Sequence, residues 1–120
     1  MSYDDNTVSV SELDDGIMAV EAAGEIDASS APRLQRALLS VLREGHDRVV
    51  LDLSKVTFMD SSAIGAVIAA YAEAKERQAG FVVVCGGGHA AKRLQVMGLN
   101  SLLEPVESRA EARARLGSPA

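Results

Sequence analysis

The stretch VVLDLSKVTFMDSSAIG, residues 49–65, decides the fold. Residues 49–53 form a nearly continuous apolar run rich in β-branched side chains, which is typical of an interior parallel strand covered on both faces. The sequence DSS at residues 60–62 stands directly before a segment of helical apolar periodicity, where such polar residues commonly cap a helix. We interpret residues 54–59 as a short loop, so that a strand leads through a tight connection into a helix.

The helix that starts at residues 60–62 is predicted to be long. It runs to about Gln78 and is stopped by Gly80. Apolar residues at helical spacing predict one buried stripe along it. These residues are Ile64, Val67, Ile68 and Tyr71.

The same order of strand and helix repeats downstream. Residues 81–85 form a second solid apolar strand, and the glycines at 86–88 form a flexible connection. A helix is predicted over residues 89–97, with Leu94 and Met97 facing inward. The repetition favours an alternating architecture.

The C-terminal part carries two further signals. Residues 102–106 are predicted to form a short edge strand, because Pro105 cannot donate a ladder hydrogen bond. Ser108 and Glu111 have the spacing of a capping box and predict a last helix. Residues 117–120 are predicted to form a frayed tail.

Two short runs near the N-terminus indicate a β-hairpin. Residues 7–10 and 17–23 are its strands, and the sequence DDG at residues 14–16 supplies the turn chemistry. Gly24 is predicted to close the second strand.

A helix is predicted after the hairpin. Ser29 or Ser30 caps it, and Pro32 stands in its first turn, where a missing N–H costs little. Gly45 is predicted to end it. Its buried face consists of Leu34, Leu38, Val41 and Leu42.

Strands that alternate with helices imply right-handed βαβ crossovers and a mainly parallel sheet. The opening hairpin adds antiparallel pairing, so the sheet is expected to be mixed. The sequence therefore predicts an α/β fold with a mixed, mostly parallel sheet of 4–5 strands, an N-terminal hairpin and about four helices. Residues 1–120 are predicted to form one domain, with a core over about 6–116.

Composition narrows the possible functions. The chain has 12 basic and 17 acidic residues, a formal net charge of −5, which argues against nucleic acid or an anionic membrane as partner. One cysteine, Cys85, cannot form an intrachain disulfide, which fits a reducing cytosol. The N-terminus has no signal-peptide pattern, and no apolar run approaches the ~20 residues of a membrane span. We expect a cytoplasmic protein.

The start of the helix at residues 60–62 is the strongest candidate site. The first turn of a helix has unpaired N–H groups and a positive dipole end, so these groups could hold a phosphate on a serine there. Asp60 would repel that phosphate, and a partner docked over the site would then feel the charge. Taken alone, however, Asp and Ser before an apolar helix are equally what any helix cap needs.

Several motifs together resemble the STAS family, and more narrowly the bacterial anti-sigma factor antagonists. These are the strand ending in LDL, the sequence FMDSSAIG at residues 58–65, GEID at 24–27, KRL at 92–94 and MGL at 97–99. The family usually has glycine where this chain has Ala63. The resemblance covers nearly the whole chain and implies a STAS-like fold.

The resemblance also implies a mechanism. Such an antagonist binds an anti-sigma factor that is also a serine kinase, and so frees the sigma factor. The kinase phosphorylates the serine directly after the motif aspartate, which is Ser61 here, and a serine phosphatase removes the phosphate. Ser62 is one residue on, about 100° round the helix, so only one serine of the pair should point to solvent.

The expected partner surface surrounds this serine. The end of the strand before Asp27 should lie on the same rim, and the alternative role of Asp27 and Ser29 is that of helix caps. Small residues after Ser61 would give a smooth docking face. The candidate partner-binding residues are Asp27, Ser29, Asp60, Ser61, Ser62, Ala63, Gly65 and Ala66.

Neither a cofactor nor a metal is expected. The glycines at 86–88 lack the spacing of a phosphate-binding loop or a dinucleotide fingerprint, and His46 and His89 are isolated. A hydrolase with Ser61 or Ser62 as nucleophile lacks a nucleophile elbow, so we do not expect an enzyme. A non-switching STAS scaffold or transporter-associated subunit remains the alternative function.

Overall fold

The computed structural model describes residues 7–117, and the predictions for the N-terminal residues and for 118–120 lie outside that range. Its four strands form one sheet in sequence order. Strand β1 (Val8–Glu12) pairs antiparallel with β2 (Met18–Ile26), whereas β3 (Arg48–Met59) and β4 (Gly80–Val84) continue the sheet in parallel. The predicted mixed, mostly parallel α/β sheet with an N-terminal hairpin is confirmed.

Five α-helices lie within the described residues, one more than predicted. They are α1 (Ala31–Arg43), α2 (Ser61–Arg77), α3 (His89–Val96), α4 (Asn100–Leu103) and α5 (Arg109–Leu116). The buried side chains of α1 to α4 belong to one apolar cluster on one face of the sheet. Helix α5 covers the opposite face with a smaller cluster.

The second half of β3 corrects the prediction of a loop over residues 54–59. The strand continues to Met59, because β2 also runs past Gly24 and pairs with it as far as Ile26. Two register shifts interrupt this pairing, and Gly24 lies at one of them with φ 77°. Gly24 therefore does not close β2, but lets the paired strands continue to a common end.

The chain after α3 also differs from the prediction. Residues 102–106 do not form a strand, since α4 extends to Leu103 and only Val106 bridges to β4. Glu104, in the left-handed region with φ 45°, ends α4 and turns the chain. Met97 is 43% exposed rather than turned inward, because α3 ends one residue before it.

Helix α2 packs against α1 through small side chains. Ile64 and Val67 of the predicted stripe are buried, while Ile68 and Tyr71 are half-buried at its edge. The helix ends at Arg77, and the left-handed residue is Gln78 rather than Gly80, which begins β4. Four alanines complete the buried face. They are Ala63, Ala66, Ala70 and Ala74.

Candidate functional site

The two central strands end side by side and fix the position of the site. Ile26 and Met59 are register partners, so Asp27 and Asp60 leave the sheet at the same rim. The backbone N–H of Asp60 donates to the carbonyl of Ile26 over 3.2 Å. The sequence places the two aspartates far apart in the chain, and the extended β2–β3 pairing brings their segments together.

Asp60 caps α2. Its Oδ1 accepts from the N–H groups of Ser62 at 2.9 Å and Ala63 at 3.2 Å. Its carbonyl accepts from the N–H of Ile64 at 3.1 Å. Side-chain caps of this kind stabilise a helix by about 1 kcal/mol, so the first turn that carries Ser61 is firmly held.

Ser61 and Ser62 have different environments. Ser61 is the first residue of α2 and is exposed, whereas Ser62 is half-buried. Ser62 is one of the residues that line an open groove of about 410 Å³ beside α1. Leu39 and Arg43 of α1 also line this groove. The Ser61 hydroxyl is therefore the one that another protein reaches most easily.

The electrostatics of the first turn correct one expectation. Two of the N–H groups predicted to hold a phosphate on Ser61 are those of Ser62 and Ala63, and both already donate to Asp60 Oδ1. A phosphate on Ser61 would thus add its charge next to the carboxylate that already occupies these two donors. Its charge would point to solvent or to a docked partner.

The turn between β2 and α1 is held by its own side chains. Asp27 Oδ1 accepts from the Ser29 hydroxyl at 2.7 Å and from the Ser29 N–H at 2.9 Å. These hydrogen bonds, chiefly the one from the Ser29 side chain, lower the pKa of Asp27. The carboxyl group therefore stays ionised at neutral pH and adds negative charge to the rim.

Neither predicted serine caps α1 through its side chain. Ser30 holds the N-cap position, but its hydroxyl accepts from the N–H of Asp27 at 3.0 Å and donates to the carbonyl of Glu25 at 3.2 Å. The Asp27 carboxylate bonds to Ser29 instead of to the helix. These residues therefore fix the shape of the rim.

Two predicted docking residues are not on the surface. Ala63 and Ala66 are 0% and 1% exposed, since α1 covers that side of α2. Their inclusion in the partner surface was wrong, because sequence alone does not show which face of α2 meets α1. Gly65 is exposed, and a Cβ added there would meet no atom within 4 Å.

One residue near the rim was missed. Phe58 lies in the stretch predicted to be a loop, and it is 44% exposed in β3. Its ring centroid lies 5.8 Å from that of His89 at the start of α3. An aromatic side chain in a segment of alternating polarity indicates that Phe58 could be exposed. The sequence alone does not show that α3 lies next to it.

Other reactive groups have local partners. His46 lies 3.9 Å from Glu44, and burial raises the pKa of the Cys85 thiol to about 11, which keeps it protonated. Within residues 7–117, no three acidic, cysteine or histidine side chains are grouped to hold a metal ion. Over the same range, no helix has the length and apolar character needed to span a membrane.

Comparisons with known proteins agree with this geometry. Residues 10–112 match the family model described as the STAS domain. The chain is 30% identical over 101 residues to the anti-sigma-B factor antagonist of Listeria monocytogenes, covering 82% of this chain and 86% of that protein. It is 31% identical over 97 residues to the anti-sigma-F factor antagonist RsfB of Mycobacterium tuberculosis, covering 81% and 78%. The crystal structure of an anti-sigma factor antagonist from Mycobacterium paratuberculosis superposes with a TM-score of 0.83, at 27% identity and 92% coverage of each chain.

Proposed function

Because the chain belongs to the STAS domain family, we propose that it is an anti-sigma factor antagonist that phosphorylation of Ser61 switches off. The unphosphorylated chain binds an anti-sigma factor with serine-kinase activity and so releases the sigma factor. The kinase then transfers phosphate to Ser61, and a serine phosphatase restores the active form. The names of the curated relatives support the antagonist role.

The observation that carries the switch is the exposure of Ser61 in a first turn where Asp60 already accepts from the N–H groups of Ser62 and Ala63. The neutral hydroxyl can be covered by a partner at little cost, whereas a phosphate brings roughly −1.5 to −2 charges. Asp60 already takes the nearby N–H groups and adds a charge of the same sign. Burying the phosphate without a new cation costs several kcal/mol, and about 1.4 kcal/mol is tenfold in affinity.

A displacement assay tests the function. The full chain is added to a preformed complex of the anti-sigma factor and sigma factor from its own host, and free sigma factor is measured. We expect release in proportion to added unphosphorylated chain. Unchanged sigma factor occupancy at a large excess of chain, with the chain folded by circular dichroism, would contradict the antagonist role.

Gly65 offers a prediction that separates docking from stability. Glycine inside a helix costs about 0.5–1 kcal/mol relative to alanine, and within residues 7–117 a Cβ at this position has free space. Gly65 lies one turn after Ser61 on the same side of α2, so we propose that the partner packs closely against it. Gly65→Gln should raise the free energy of unfolding by about 0.5 kcal/mol but lower the release of sigma factor about tenfold.

The control for Gly65→Gln is Ala72→Gln. Ala72 is also exposed on α2, but it lies about 16 Å along the helix from Ser61. This variant should release sigma factor as the unaltered chain does. Equal release of sigma factor by the two variants would show that Gly65 is not part of the interface. Urea denaturation of both variants gives their free energies of unfolding.

A further inference from the structure

Helix α3 presents a mixed apolar and basic surface that the proposed switch does not use. We define this α3 surface as Phe58, His89, Lys92, Arg93 and Val96. Val96 is 78% exposed and Phe58 44% exposed, and they are two of the four large apolar side chains exposed within residues 7–117. The rings of Phe58 and His89 lie 5.8 Å apart and are tilted by 32°.

The geometry of α3 places three of these residues on its outer side, with Arg93 at the edge. Ala90 and Leu94 are fully buried and point to the core. At about 100° per residue, His89, Lys92 and Val96 lie on the opposite side of the helix. His89 and Val96 are about 10 Å apart along the helix axis, so apolar groups at both ends flank the basic middle.

The cations of this surface have no counterions of their own. Helix α3 contains no acidic residue, and neither Lys92 nor Arg93 makes an ion pair among the described residues. Lys92 is exposed, whereas Arg93 is half-buried and its buried Nε has no hydrogen-bond partner in that range. Arg43 and Arg109, by contrast, form ion pairs with Glu73 and Asp52. Lys92 and Arg93 are neighbours on a helix without acidic residues, and this local positive charge is complementary to an acidic surface.

The α3 surface adjoins the phosphorylation rim. Phe58 lies three residues before Ser61, at the end of β3. The rim itself is acidic through Asp27 and Asp60, whereas α3 is basic. A partner that covers both regions meets negative charge at the rim and positive charge at α3. This difference in charge favours one orientation of the bound partner.

We propose that the α3 surface binds an acidic segment, with at least one apolar side chain, of the same anti-sigma factor that covers Ser61. This inference rests on the proposed function and extends its interface. Carboxylates of the partner would pair with Lys92 and Arg93, while its apolar side chain would contact Phe58 or Val96. Exposed ion pairs at the edge of an interface speed association and help to fix how the two proteins are aligned.

The test compares two matched charge reversals. Affinity of the full chain for its host's anti-sigma factor is measured by titration calorimetry for Lys92→Glu and for Lys75→Glu. Lys75 is likewise an exposed lysine on a helix, but it lies over the ring of Tyr71 near the end of α2. We expect Lys92→Glu to weaken binding about tenfold at low salt, with a smaller loss at high salt, and Lys75→Glu to change it less than about twofold.

The outcomes distinguish this inference from the function on which it rests. Equal affinities for the two lysine variants, with binding still weakened about a hundredfold by Ser61→Asp, would overturn the α3 surface and leave the switch standing. Absence of binding by the unaltered chain would overturn both. Slower dephosphorylation of Lys92→Glu, with unchanged affinity for the anti-sigma factor, would also overturn the inference and assign the surface to the phosphatase.

Discussion

Ser61→Asp is expected to weaken binding to the anti-sigma factor about a hundredfold, because an unpaired charge buried in an interface costs several kcal/mol. Ser61→Ala should bind within about threefold of the unaltered chain, since it removes only a small neutral hydroxyl. Titration calorimetry with the unphosphorylated chain measures both affinities. Ser61 is exposed, so neither variant disturbs the core.

Ser62→Asp is the control for position. Aspartate at either serine stands in the first turn of α2, where a negative charge stabilises the helix by about 0.3–1 kcal/mol. Because Ser62 is half-buried, urea denaturation of both variants is measured alongside, so that a difference in stability is not taken for a difference in binding. A larger loss of binding for Ser62→Asp than for Ser61→Asp would move the acceptor to Ser62 and its groove beside α1.

Arg109→Ala is expected to lower the free energy of unfolding by about 2–4 kcal/mol, because it leaves a buried carboxylate without its cation. Asp52 is 5% exposed in the middle of β3. The Nε of Arg109 donates to Asp52 Oδ2 over 2.7 Å, and its Nη2 donates to Glu21 over 3.1 Å. These contacts tie α5 to the sheet. Urea denaturation at neutral pH gives the size of the loss.

The control for this loss is Arg36→Ala, which removes an exposed arginine from α1 and should change stability by less than about 0.5 kcal/mol. If Arg109→Ala lowers the free energy of unfolding no more than Arg36→Ala does, the stabilising role of the contacts from Arg109 to Asp52 and Glu21 is contradicted.

The loss on Arg109→Ala should also depend on pH. Burial alone would raise the pKa of Asp52, but hydrogen bonds from Ser54 and Arg109 outweigh it and hold the pKa below its ordinary value. A lowered pKa in the folded state contributes stability at neutral pH, and this contribution is lost as the pH falls through the folded pKa. The difference between the unaltered chain and Arg109→Ala should therefore narrow below about pH 4. A difference that stays constant or widens there would contradict this.

The sequence predicted the elements whose signals are local. Residues 49–53 and the helix from Ser61 follow from apolar periodicity and from Asp60 as a cap, and both are present. The second half of β3 was missed because its polar residues favour a loop. Only its pairing with β2, with two register shifts, keeps it extended.

The part of the candidate site that depends only on local helix geometry was predictable from the sequence. A serine directly after a capping residue is often exposed, however the helix packs against its neighbours, and Ser61 is exposed here. Ala63 and Ala66 were misplaced because the contact between α1 and α2 is tertiary. The sequence shows Lys92 and Arg93 as candidate contacts for an acidic partner, but not the apolar part of the α3 surface, since Phe58 and His89 are distant in sequence and meet only in the fold.

The most direct measurement is intact-mass and phosphopeptide analysis of the protein purified from its own host, during growth and under stress. The proposed switch predicts a fraction that carries one phosphate, located on Ser61, and a change in that fraction between the two conditions. Phosphate on another residue, or none on Ser61 in either condition, would contradict the switch and leave Ser61 as an exposed residue in the first turn of α2.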